Sequence, residues 1–117
     1  MLIVDDNSDI RDAIVALLES EGYPATGVAD GAAALDYLDR ADVPPSLIVL
    51  DLMMPTMDGV EFRERQLLDG RFAHIPVVIV SAYARQSAAA SLGPVAYVPK
   101  PLDVEKLLAV VRANCAA

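Results

Sequence analysis

A single cysteine, Cys115, leaves this chain without any internal disulfide and fits a reducing compartment. Basic side chains are scarce: 9 lysines and arginines stand against 17 aspartates and glutamates, for a formal net charge of −8. Such a surface repels a nucleic-acid duplex, so direct nucleic-acid binding is not the expected activity. No apolar run approaches the roughly 18 residues that a membrane span requires. Nor does a charged-then-apolar leader precede the first apolar segment. A cytoplasmic domain without membrane contact is the expectation. Linkers, repeats and low-complexity segments are also missing from the 117 residues, a length that suits one compact domain. Hydrophobic residues make up 55% of the chain, which suffices for a core.

What is present is a set of short apolar runs that end in polar residues suited to phosphate chemistry. Leu2-Ile3-Val4 runs into Asp5-Asp6, and Leu47–Leu50 into Asp51. Val77–Val80 runs into Ser81, and Ala96–Pro99 into Lys100. Unalternating Val/Ile/Leu runs of this length read as parallel strands buried on both faces. A shorter run, Ala25–Val28, reads as one more. Between the strands, Ile10, Ala13, Ile14, Leu17 and Leu18 have helical spacing, with Ser8 placed to cap and Gly22 to terminate. Asp30 caps a helix with Ala34, Leu35 and Leu38, and Pro44-Pro45 blocks its continuation. Asp58 and Glu61 have capping-box spacing, so a helix begins near Gly59. A small-residue segment, Gln86–Leu92, forms a fourth helix, and Asp103 caps a fifth along Val104, Leu107, Leu108 and Val111.

Five strands alternating with five helices predict an α/β fold with a five-stranded parallel sheet and right-handed crossovers. Spacing alone leaves strand order open. The doubly wound, flavodoxin-like order 2-1-3-4-5 sets strands one and three side by side at the switch point. Asp5, Asp6 and Asp51 then flank the crevice where ligands bind. Two unit charges about 4 Å apart cost on the order of 4 kcal/mol at an effective dielectric near 20. Three clustered carboxylates therefore take up a proton or hold a cation. Hard oxygen ligands with open positions suit Mg²⁺, which shares phosphate oxygens. Lys100 offsets one more negative charge, and a phosphoryl group completes the set. Asp51 is the candidate nucleophile, because a carboxylate attacks phosphorus to form an acyl phosphate. Ser81 donates to one phosphoryl oxygen, Lys100 pairs with another, and Ala82 keeps the approach open.

Asp5-Asp6, Asp51 with Met54-Pro55 and Asp58-Gly59, Ser81-Ala82, and Tyr97 with Lys100-Pro101 resemble the receiver domain of two-component response regulators. The resemblance covers essentially the whole chain, 1–117, with no output domain within it. It implies that Asp51 takes a phosphoryl group from a histidine kinase, a phosphotransfer domain or a small-molecule donor. It implies Mg²⁺ ligation by Asp6, Asp51 and the Met53 backbone carbonyl, with Asp5 acting through water. Ser81 and Tyr97 shift on phosphorylation, and the Lys100–Pro101 bond is cis. An output face, Arg85 to Ala113, meets a downstream effector; oligomeric state is open. Met53 and Tyr83 flank the site without a carboxylate or amide to orient water, which implies a long-lived phosphorylated state. The resemblance points away from a turnover enzyme. Two other readings stand beside it: a pseudo-receiver that only binds a partner, and a phosphohydrolase of the haloacid dehalogenase type. The latter places a second aspartate where Met53 stands here. His74 reads as an exposed loop residue, and Met53, Met54 and Met57 do not form a metal cluster.

Overall fold

The hydrophobic pattern closes into a sheet whose strands are short and almost wholly apolar. A computed structural model describes residues 1–52, 57–81 and 93–114, with the backbone alone for Ser81. Its elements are β1 (Leu2–Val4), α1 (Ser8–Ser20), β2 (Thr26–Val28), α2 (Gly31–Arg40), β3 (Ile48–Leu50), α3 (Gly59–Leu68), β4 (Val77–Ser81), β5 (Ala96–Pro99) and α4 (Val104–Asn114). All strand pairs are parallel, in the order β2-β1-β3-β4-β5, so the flavodoxin-like arrangement expected from the sequence is the one found. Four helices lie among the described residues. The further one expected at Gln86–Leu92 falls outside them, as do Met53, Ala82, Tyr83, Arg85 and Cys115.

Each face of the sheet has its own core. Ile3, Val49, Val78, Val80 and Val98 pack with Ile14 and Leu18 of α1 and Leu107, Leu108 and Val111 of α4. Leu2, Val4, Ile48, Leu50 and Ile79 pack on the other side with Ala34 and Leu38 of α2 and Phe62 of α3. Strands buried on both faces need no polar alternation, which is why their sequences read as continuous apolar runs.

Two local expectations are corrected. Asn7, not Ser8, caps α1: its side-chain oxygen accepts from the Asp9 and Ile10 amides at 3.0 and 3.2 Å. Ser8 is already the first helical residue. The Asn7 amide donates to Asp5 Oδ1 at 2.9 Å, which fixes the cap's extended backbone. Asp58 does cap α3, through the Glu61 amide at 2.9 Å, but the Glu61 carboxylate turns to Arg65 rather than back to the cap.

Helix α3 is polar inside and apolar outside for part of its length. Arg63 and Gln66 are buried, whereas Leu68 is 88% exposed. Gln66 donates to the carbonyls of Phe72 and Ile75 at 3.0 and 3.1 Å. Arg63 donates to Gln66 Oε1 at 2.8 Å and to the Gly93 carbonyl at 3.1 Å. Burial lowers the Arg63 pKa from its ordinary value.

Candidate functional site

Because β1 and β3 are neighbours with Val4 opposite Leu50, the residues that follow them leave the sheet together. The Asp51 amide donates to the Val4 carbonyl at 2.9 Å, and the Asp5 amide to the Val28 carbonyl at 3.2 Å. Both carboxylates are buried, at 2% and 5% residue exposure, whereas Asp6 is exposed. One carboxylate oxygen from each of Asp5, Asp6 and Asp51 lies within 4.8 Å of the others. These three are the only such group of candidate ligands found among the described residues.

Lys100 arrives from the end of β5, across β4. Its Nζ lies 2.9 Å from Asp5 Oδ2 and 3.2 Å from Asp51 Oδ2, and its side chain is only 14% exposed. Burial is the largest single influence on this ammonium and lowers its pKa. The hydrogen bond to Asp5, the charges of Asp51 and Asp5, and the bond to Asp51 together outweigh it, so the pKa is raised. The Lys100–Pro101 peptide is cis, as the resemblance implied.

The main chain around the acids is tightly held. Asp5 Oδ1 accepts from the Asn7 amide at 2.9 Å, and the Asp5 carbonyl accepts from Arg11 Nη1 at 3.1 Å. Gly59 donates to the Leu52 carbonyl at 3.1 Å. A Cβ at Gly59 would lie 2.7 Å from Leu52 Cα and closer still to the Asp51 carbonyl oxygen. Only glycine allows the start of α3 to approach the Asp51 main chain this closely. Asn7 and Arg11 went unremarked in the sequence; both have the look of ordinary helix-start residues, and only the turn after β1 reveals them.

Other expected residues are placed as follows. Ser81 ends β4 opposite Pro99, so its backbone sits at the carboxyl edge between the strands bearing Asp51 and Lys100. Tyr97 lies opposite Ile79 and is half-buried against the α2–α3 core. His74 is exposed. The Met53 carbonyl lies outside the described residues. A hollow lined by Met1, Tyr23, Pro24, Tyr37, Val43 and Pro45 opens at the opposite end of the sheet, with no acid in its lining.

Among the described residues, the three carboxylates outnumber the one ammonium paired with them, which favours a divalent cation. All the donors are hard oxygens, and the exposed side at Asp6 leaves room for water or phosphate oxygen. The residues present therefore fit Mg²⁺.

A family profile described as the response regulator receiver domain matches residues 1–112. An uncharacterized 14.6 kDa protein of Leptolyngbya boryana is 38% identical, over all of this chain and 90% of its own length. Response regulator Rre1 of Synechocystis is 34% identical over 96% of the chain, and sensory transduction protein RegX3 of Mycobacterium tuberculosis 37% over 97%. The chain spans about half the length of these two, 49% of each. Among solved structures, a response regulator receiver protein from Pseudomonas putida superposes with a TM-score of 0.88 at 30% identity, covering 96% of this chain and 93% of its own. The chemotaxis response regulator CheY4 of Vibrio cholerae gives 0.85 at 26% identity, covering 97% and 96%.

Proposed function

This chain belongs to the response regulator receiver family of two-component signal transduction, and on that premise we propose that it accepts a phosphoryl group on Asp51 and changes partner binding as a result. The observation that carries the reading is the buried Asp51 carboxylate, with Asp5 and Asp6 beside it and the Lys100 ammonium 3.2 Å away. The donor is a phosphohistidine on a histidine kinase or phosphotransfer domain, or a small acyl phosphate.

An Asp51 oxygen forms the new bond to phosphorus as the bond to the donor's nitrogen or oxygen breaks. The freed imidazole takes a proton from solvent, or the freed acetate leaves as the anion. Positioning and charge neutralisation, rather than acid–base chemistry, supply the catalysis. Lys100 pairs with a phosphoryl oxygen, and the Ser81 hydroxyl donates to another. Asp6, Asp51 and the Met53 carbonyl would hold Mg²⁺, with Asp5 acting through water, and the ion would supply positive charge to the phosphoryl oxygens. Tyr97 and Ser81 then report the change to a downstream effector through the 85–113 face, and residues 1–117 work as one receiver unit in the cytoplasm.

Receiver domains of this family are generally not turnover enzymes. The absence of an aspartate two residues after Asp51, where Met53 stands, supports acceptance over hydrolysis here. Acetyl phosphate with Mg²⁺, followed by mass analysis, tests the proposal. Wild type is expected to gain one phosphoryl group and Asp51→Asn none. No gain in wild type would leave the pseudo-receiver, and sustained release from p-nitrophenyl phosphate would favour the hydrolase.

A further inference from the structure

The acceptor chemistry makes no use of the buried guanidinium of Arg63. On α3 this side chain and Gln66 form a polar relay inside an otherwise apolar layer, joined at 2.8 Å. One end of the relay holds the Gly93 carbonyl, three residues before β5; the other holds the carbonyls of Phe72 and Ile75, just before β4. These are the lead-ins of the two strands that carry Ser81, Tyr97 and Lys100. The first turn of the same helix abuts Asp51, where Gly59 leaves no room for a Cβ between itself and the Asp51–Leu52 main chain.

From this placement we propose that Arg63 is a positioning residue that couples α3 to the start of β5, so that phosphorylation at Asp51 is registered at Gly93. The inference rests on Asp51 being the acceptor. A phosphoryl group adds about −1.5 to −2 charges to a packed site. Any resulting shift of the Asp51–Leu52 main chain meets the Gly59 backbone without an intervening gap. Close-packed interiors transmit such displacement rather than absorb it. A purely apolar α3 could slide against the lead-ins, whereas a planar guanidinium donating in two directions holds one geometry. Gly93 is suited to be the receiving point: its φ of +66° is the left-handed region, and Pro94 follows it.

The test uses isotope-labelled full chain with and without beryllium fluoride and Mg²⁺, an acyl-phosphate mimic, read by NMR. In wild type the adduct should shift the Asp6 and Lys100 signals and also the Gly93 carbonyl and the Arg63 guanidinium. Arg63→Met should retain the Asp6 and Lys100 response and the acetyl phosphate mass gain. Its Gly93 response should be largely lost. Arg63→Lys, which keeps a donor for Gly93 without the fork, should recover part of it. A wild type whose site signals move while Gly93 stays still overturns the inference, and needs no variant to fold. An undiminished Gly93 response in Arg63→Met overturns it equally. If neither the adduct nor the phosphoryl mass appears in wild type, the acceptor reading itself fails and takes the coupling with it.

Discussion

Lys100→Met removes an ammonium that bridges two buried acids while keeping a side chain of similar length. At 2.9 and 3.2 Å, each of the two contacts is worth about 5 kcal/mol of Coulomb attraction at an effective dielectric near 20. Desolvation of the ammonium offsets much of that, and removing one partner of a buried pair typically costs about 3–5 kcal/mol net. Because Lys100 keeps some solvent contact and Asp6 opens outward, a loss of about 3 kcal/mol is expected without divalent ions at pH 7.5. Urea unfolding measures it. Mg²⁺ should restore more stability to the variant than to wild type, since the uncompensated acids gain more from a cation. Wild type carries an alkaline signature as well. Its folded Lys100 pKa is raised above the ordinary 10.5, so this contribution is complete below that pH and disappears as pH climbs through the folded value. The variant should lack that arm. Equal urea midpoints and equal Mg²⁺ responses in the two proteins would refute the reasoning.

Gly59→Ala forces a methyl group against the Asp51 carbonyl and Leu52 Cα, so it should cost about 1–3 kcal/mol and slow phosphoryl uptake from acetyl phosphate; thermal melts and uptake rates report both. Asn7→Ala should lose about 1 kcal/mol as a missing cap, while Ser8→Ala changes stability by only a few tenths, a contrast that denaturant titration resolves. Without a phosphatase, the phosphorylated chain should decay over minutes or longer at neutral pH, because Met53 and Tyr83 offer no carboxylate or amide to orient water. Loss within seconds, followed by mass analysis, would contradict this.

Much of the acid cluster could be read in the sequence because the parallel sheet converts sequence into position. Once Leu2–Val4 and Leu47–Leu50 are neighbouring parallel strands, Asp5 and Asp51 have no choice but to emerge side by side. Lys100 was legible for a related reason: it follows a strand directly and is flanked by Pro99 and Pro101, which limit its direction. The α1 cap was misplaced by one residue because Asn7 and Ser8 are both competent. The choice is made by a local turn contact, the Asp5 carboxylate accepting the amide of Asn7 two residues on, which single-residue cap preference does not contain.

Helix α3 was the least legible element, and the reason lies in what buries it. By residue type alone, Arg63 and Gln66 belong on the solvent side and Leu67 and Leu68 in the core, although Arg63 and Gln66 share the helical face of Gly59 and Phe62. The chain reverses this because the groups waiting beneath α3 are carbonyls, of Phe72, Ile75 and Gly93, up to 30 residues away in sequence. A buried carbonyl left without a donor costs about 1–3 kcal/mol, so the buried Ile75 carbonyl favours an amide such as Gln66 over leucine there, while the Phe72 carbonyl also accepts the Ile75 amide and Gly93 is exposed. Hydrophobic periodicity reports where apolar surface is covered; it carries no signal for main-chain acceptors that the tertiary fold strands. The same directionality that hid the relay from the sequence is what suits it to carry displacement, because hydrogen bonds in a planar fork fix orientation as apolar contacts do not.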